Sequence, residues 1–514
     1  MAGWEYFPGP EKKYLTWVMD VLSCIIRFII SSINIFVGII IKMKSTIVIL
    51  KIIFIVCALL IGSCQPVDEN ISITPSPTFP NHQASPDQIY DEEIQEDSNG
   101  DLLSERIPLG LKLEFWHPWA GETAEIVEEL VDNFNQENAW SITVNSISHA
   151  DSDVFVEDLT EAFMNQEQIP DLIVSTSQSL RTWYSEGYPI KEMDLFIRLD
   201  SEGSTEVALP EIFPIFWNID VLDEKRFGVP AYQSGQFLFY NKTWGNELGF
   251  EDFSGTIEAF TEQACAAAKR NLYDTITENN GTGGWIFNSE SLSLLSWLRV
   301  FNGGDLINTR SQPILTQPEN ISAFTFLYDL YMDDCAWTGR ISKPYSYFSN
   351  RMAIFYSGQM EDIIKQINFD NDSENNDTWM LVPYPSAFGK PIVMVKGLSY
   401  AITTKSEERS IAAWEFIKWM LAPENQALFV EKTGTFPLSA EVIERMDVEA
   451  KIYPIWKDSL QYLPYAQAEP SYKEWYVIDK VLEDVGWQLT QYTMRSENIP
   501  TILLDAEGMI RMFE

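Results

Sequence analysis

Aromatic rings set beside planar amides and carboxylates are the residues of this 514-residue chain best suited to holding a ligand. It carries 17 Trp, 21 Tyr and 30 Phe. Ring faces stack on apolar C–H surfaces, while Asn, Gln, Asp and Glu satisfy hydroxyl edges, which together is the chemistry of a polyhydroxylated ligand. Trp116, His117 and Trp119 stand close together in FWHPWAGE, directly after an alternating apolar run. At the C-terminal end of a strand such a group would border the crevice where open α/β sheets place ligands. Packing into a core is the competing use of the two rings. Asn302, Gly303 and Gly304 offer an amide and bare backbone N–H groups, although Asn-Gly more often ends a helix. His117 and Glu122 form the one tempting acid and base pair. Polar ligand contacts or surface positions explain that pair more simply. No HExxH or nucleophile-elbow pattern occurs. The five cysteines have neither CxxC nor Cys/His spacing, so no metal and no cofactor are expected.

The elements that would position these residues read as α/β. Leu111, Leu113 and Phe115 alternate as a strand. Ile126, Val127, Leu130, Val131 and Phe134 share one helical face behind a cap at Glu122 or Thr123. Ile142, Val144 and Ile147 make a second strand. Strand, helix and strand in that order predict a βαβ opening and a parallel sheet. Helices are also predicted at 155–165, 257–270, 291–301, 408–420 and 423–432, and strands at 172–174, 227–240, 380–382 and 398–403. Trp414 and Trp419, on an amphipathic helix with Phe416 and Ile417, read as core. There is no internal repeat and no glycine-rich phosphate loop.

Charge excludes some partners. The chain has 75 Asp+Glu against 35 Lys+Arg, a net −40, and nucleic acid or an anionic lipid surface requires a basic footprint. With 46% hydrophobic and 21% charged residues it can bury a core, so global disorder is excluded. Its length exceeds what one core usually covers, which predicts two domains or lobes.

The N-terminus sets the compartment. From Met43 the text MKSTIVILKIIFIVCALLIGSC has Lys44 and Lys51, an apolar run at 52–61, and small residues before Cys64. This resembles a bacterial lipoprotein signal, with Cys64 as the lipidated residue; an ordinary transmembrane helix is the alternative. Residues 1–63 are thus read as an N-terminal extension plus signal, with translation expected to start at Met43. The earlier run at 17–41, interrupted by Asp20, Arg27 and Asn34, makes a poor membrane span. Residues 64–107 are a lipidated cysteine and a Pro/Ser-rich acidic tether without a core face. Removing residues 1–63 takes away 6 basic and 3 acidic residues and leaves 29 against 72, or −43. Cys24 and Cys57 fall in the apolar runs, so Cys265 and Cys335 remain for the globular part. Exported thiols often pair, and two separately buried thiols are the other reading.

A longer series of motifs carries a family resemblance. LKLEFWHPWAGETAEIVEELVDNFNQEN, IPDLIVSTS, GVPAYQSGQFLFYNKTWGNELGF, GWIF, FNGGDLI, RMAIFYSG and VKGLSYAITTKSEERSIAAWEFIKWMLAPENQALFVEKTGTFPLS stand in order. From Leu109 onward the chain resembles the carbohydrate-type extracellular solute-binding proteins of bacterial ABC importers, the maltodextrin-binding type. Each motif alone is soft; the ordered series is specific. The resemblance implies a two-lobed α/β fold of the periplasmic-binding-protein kind, with a hinge of crossing segments and an interlobe cleft. Lobe one would hold 109–236 and 397–442, and lobe two 237–396 and 443–514. Crossings would fall near 236–241, at Lys396-Gly397 and after Ile443, with Gly397 supplying unusual backbone angles.

On that frame the implied ligand contacts are Trp116, His117, Trp119, Tyr232, Gln233, Trp285, Asn302, Gly303, Tyr356, Gly397 and Trp475. Gly281 to Gly284 before Trp285 read as a flexible loop. The implied function is capture of a small-molecule carbohydrate outside the cytoplasm by a lipid-anchored monomer, which delivers it to ABC permease subunits without chemistry on the ligand. A secreted glycoside hydrolase is the enzyme rival, since aromatic subsites and paired carboxylates would suit the same composition. A sensor or adhesion protein of the same fold is the other.

Overall fold

In a computed structural model of the protein, the described residues are 106–512, apart from 150, 166–167, 202–208, 340–343, 387–388, 449–451 and 471–473. Cys64, the tether and the signal segment lie outside the described residues.

The opening is a parallel βαβ unit. Strand β1 (Lys112–His117) pairs in parallel with β2 (Thr143–Ser148) and β3 (Leu172–Ser175). The helix α1 (Gly121–Glu137) joins β1 to β2 and buries Ile126, Val127, Leu130, Val131 and Phe134, the predicted stripe. Its start differs from the expected cap. Ala120 is the cap residue and no side chain bonds the free N–H groups. β1 runs two residues past the expected strand and takes Trp116 and His117 into the sheet, where alternation sends their side chains to opposite faces.

The later strands are β4 (Val221–Leu222), β5 (Lys225–Arg226), β6 (Val229–Asn241), β7 (Gly283–Ile286), β8 (Ala336–Trp337), β9 (Ala353–Gln359), β10 (Trp379–Val382), β11 (Val393–Ile402) and β12 (Ala466–Ala468). Among the described residues, ten strands form one mixed sheet in the order β2-β1-β3-β11-β6-β9-β7-β8, with β10 on β6 and β12 on β11. β6 and β11 are antiparallel, whereas β7 is parallel to both β8 and β9. The expected loop at the glycines before Trp285 is in part a strand. A Cβ on Gly284 would lie 1.9 Å from the Cys335 carbonyl oxygen, so only glycine allows β7 to approach β8 this closely.

Apolar residues collect in three clusters. The first packs β1 and α1 against the helices Glu407–Leu421 and Pro423–Thr433, with Phe134 meeting Phe416 edge-on at 5.0 Å. The second encloses Trp285 and Trp297 among the helices Ile257–Leu272, Ser291–Val300, Pro318–Met332, Trp475–Leu489 and Ile499–Arg511. A third, smaller cluster lies around Phe155, Leu159, Phe163 and Trp183. Trp414 is fully buried and Trp419 half-buried, as their helical stripe predicts. Cys265 and Cys335 form a disulfide, Cα atoms 4.3 Å apart, which ties the helix Ile257–Leu272 to the chain entering β8.

Candidate functional site

Two long strands carry the chain from one half of the sheet to the other. Val229 to Gly235 of β6 lie beside β11, and from Gln236 onward β6 pairs with β9. β11 pairs with β3 at Ser399–Ile402 and with β12 at Val393–Val395. The residues at these changes of partner are Gln233 to Gln236 on β6 and Lys396 and Gly397 on β11. A Cβ on Gly397 would lie 2.0 Å from the Tyr232 carbonyl oxygen and 2.5 Å from the Gln233 amide. Lack of space, and not an unusual backbone angle, therefore requires glycine there.

A polar network occupies this junction. Glu361 accepts from the Tyr232 hydroxyl at 2.9 Å and from the Ser234 hydroxyl. With its amide oriented to satisfy both ends, Gln359 donates to Glu361 at 2.9 Å and accepts from Lys396 Nζ at 3.0 Å. Asp362 accepts from the Tyr345 hydroxyl and from the Gln359 N–H, and lies 3.5 Å from Lys365 Nζ. Burial and the neighbouring Glu361 hold the Tyr232 hydroxyl well above its ordinary range, so it remains a donor. Glu469 follows β12, and its N–H donates to the Val395 carbonyl. Burial pushes its carboxyl up to about 7, with Lys396 opposing the shift and Asp479 adding to it.

Beside the network lies a cavity of about 290 Å³. Its wall includes Phe287, Glu290, Tyr356, Gly358, Glu361 and Asp362. Tyr356 is only 1% exposed, stacks on Phe239 at 4.4 Å, and its hydroxyl has no hydrogen-bond partner among the described residues. Ser357 accepts from the Tyr384 hydroxyl at 2.7 Å and from Trp285 Nε1 at 3.2 Å. The wall thus combines carboxylates, backbone and rings, a set able to bind hydroxyl groups and the faces of a ring.

The expected ligand residues fall into separate places. Tyr232, Gln233 and Gly397 meet at the strand junction, and Tyr356 lines the cavity next to it. Trp285 is 0% exposed and packs against Phe260, Phe287 and Trp297, one hydrogen bond behind the cavity wall. Trp116 is half-buried, 4.8 Å from the His149 ring. His117 is buried, bonds Ser146 at 2.9 Å, and is lowered to about 4 by desolvation and by the nearby His149. Trp119 packs on Phe429 at 5.6 Å in the first cluster. Asn302, at φ +62°, and Gly303 end the helix Ser291–Val300, where the Gly303 N–H returns to the Leu298 carbonyl. Trp475 is buried in the second cluster.

Sequence reasoning missed Glu361, Asp362, Gln359 and Glu290. An acidic pair straight after the buried strand RMAIFYSG was the available signal for the first two. The tryptophans largely serve packing: of the described ones only Trp487 is exposed.

The fold is shared with solved solute-binding proteins. The sugar-binding protein MalE from Xanthomonas citri is 18% identical, with a TM-score of 0.64 over 78% of this chain and 98% of that one. Maltose-bound MalE3 from T. maritima is 17% identical, with a TM-score of 0.61 over 79% and 100%. UgpB from Mycobacterium tuberculosis, in complex with glycerophosphocholine, is 16% identical, with a TM-score of 0.64 over 78% and 99%. No curated protein matches the sequence. The model of the bacterial extracellular solute-binding protein family matches residues 129–455. With nearly two thirds of its length inside that match and a two-lobed α/β fold, this chain belongs to the bacterial extracellular solute-binding proteins.

Proposed function

We propose that this protein captures a sugar or oligosaccharide outside the cytoplasm and delivers it to the permease of an ABC importer. The observation that carries the reading is the cavity at the change of strand partners, with Glu361, Asp362 and the Tyr356 hydroxyl in or beside its wall. Carboxylates and an unpartnered hydroxyl bind sugar hydroxyls well, and Phe287 offers an apolar surface. Tyr232 and Gln233 border the ligand from the junction, and half-buried Trp116 from the β1 end. Trp285, Trp119 and His117 then support the walls from behind. Several similar structures hold sugars, among them maltose-bound MalE3, which favours the same ligand class here.

The lobes in this reading are 109–236 with 397–442, and 237–396 with 443–514. Ligand held by both favours the closed arrangement, which the permease recognises. The protein acts as a monomer tethered by lipid at Cys64, and it performs no chemistry on the sugar. A thermal-shift and Trp-fluorescence panel of mono- and oligosaccharides and polyols tests the assignment. At least one sugar is expected to raise the melting temperature and change the emission; no response across the panel overturns the carbohydrate reading.

A further inference from the structure

The cavity has a charge imbalance that hydrogen bonding to neutral sugars does not require. Among the described residues, Glu290, Glu361 and Asp362 line it against one lining cation, Lys365. The Lys365 side chain is half-exposed and, among the described residues, meets Asp362 at 3.5 Å, and pairs of that kind neutralise little. Glu361 is met by hydroxyls and an amide, and Glu290 by the Asn288 amide at 3.3 Å. Such neutral donors satisfy lone pairs without cancelling charge. Lys396 Nζ lies outside the lining and donates to the Gln359 amide, so its charge offsets part of the excess from behind the wall.

Two further observations point to a ligand. The Tyr356 hydroxyl is buried and unpartnered beside these carboxylates, and an unmet buried hydroxyl calls for a partner. The Phe287 ring lines the same space, and an aromatic face attracts an ammonium group. An anionic ligand finds little here. Of the longer helices that start at its wall, Asp362–Asp372 has Asp362 in its first turn, a carboxylate that already accepts the Gln359 N–H, and Ser291–Val300 begins directly behind Glu290, so a carboxylate already stands at each N-terminus.

We infer that this cavity selects a sugar carrying a protonated amino group over its neutral counterpart, and rejects the phosphorylated one. The inference rests on the sugar-binding reading above and names the ligand class for that same site. A charge-assisted hydrogen bond is about twice as strong as a neutral one, so an affinity gain of about tenfold is expected for the amine.

The test is calorimetric titration of the whole exported protein at mildly acidic pH with matched compounds. Glucose, glucosamine and glucose 6-phosphate form one set, and cellobiose with its diamino analogue another. The amino member of a set is expected to bind about tenfold more tightly, with an advantage that shrinks in high salt. Glu361→Gln and Glu290→Gln should each weaken the amine by a larger factor than the neutral sugar, so that the amine-to-neutral ratio falls, with circular dichroism confirming that both variants fold. Equal or weaker binding of the amine, with the neutral sugar still bound, overturns the charge inference and leaves the sugar reading standing. Tighter binding of the phosphate overturns it as well. Failure of every compound to bind overturns both.

Discussion

Two titrating side chains set opposite demands on the fold. His117 is lowered to about 4, so between pH 4 and its unfolded value near 6.5 the unfolded chain takes up a proton that the fold refuses. Stability from this group is present above 6.5 and falls as the pH drops. Glu469 is raised to about 7; its contribution is complete below about 4.3, the unfolded value, and declines as the pH rises through 7. The two slopes oppose one another between about 4.3 and 6.5, and only Glu469 acts just above that window. Glu469→Gln is therefore expected to flatten the fall in melting temperature between pH 6.5 and 7.5 and to steepen the loss below pH 6.5. An unchanged profile in thermal melts refutes the assignment. Neither shift was legible in sequence: a histidine after an alternating run shows its position, but its burial depends on Phe115, Trp119 and Ser146 folding around it.

Among the elements, the parallel βαβ opening and the amphipathic helices were readable because periodicity reports which face is buried. β7 and β9 were harder to read. Their residues are almost all buried on both faces, so alternation is lost and a short apolar run resembles a loop or part of a helix. The Cys265–Cys335 bond holds this region by closing a separation of 70 residues. In the chain-entropy account such a closure contributes about 4 kcal/mol by restricting the unfolded chain. Reduction, or the paired change Cys265→Ser with Cys335→Ser, should lower the denaturant midpoint correspondingly, with the far-ultraviolet circular dichroism of the folded state retained. A midpoint shift corresponding to less than about 1 kcal/mol would show that the folded state gains little from the tie.

For the whole molecule, the proposed cycle needs the binding unit held near a permease, and the proposed lipid on Cys64 followed by an acidic spacer meets that need. Cys64→Ala is expected to move the protein from the membrane fraction to the medium while its sugar-dependent thermal shift remains. Retention in the membrane would instead favour a spanning helix. The −43 of residues 64–514 reaches the cavity itself through Glu290, Glu361 and Asp362.

The class of the fold, the family and the order of its segments were legible in the residues, because these depend on periodicity and on ordered motifs along the chain. It also placed Tyr232, Gln233 and Gly397, which sit near one another on adjacent strands. Which rings packing covers and which it leaves open at the cavity depended on the tertiary structure. Trp285 and Trp119 have the composition of sugar platforms, but packing covers their faces. The carboxylates that line the candidate cavity come from Glu290 and from Glu361 and Asp362, about 70 residues apart in sequence. Only the pairing of β7 with β9 brings them to one cavity, and a contact made across a sheet leaves no local pattern to read.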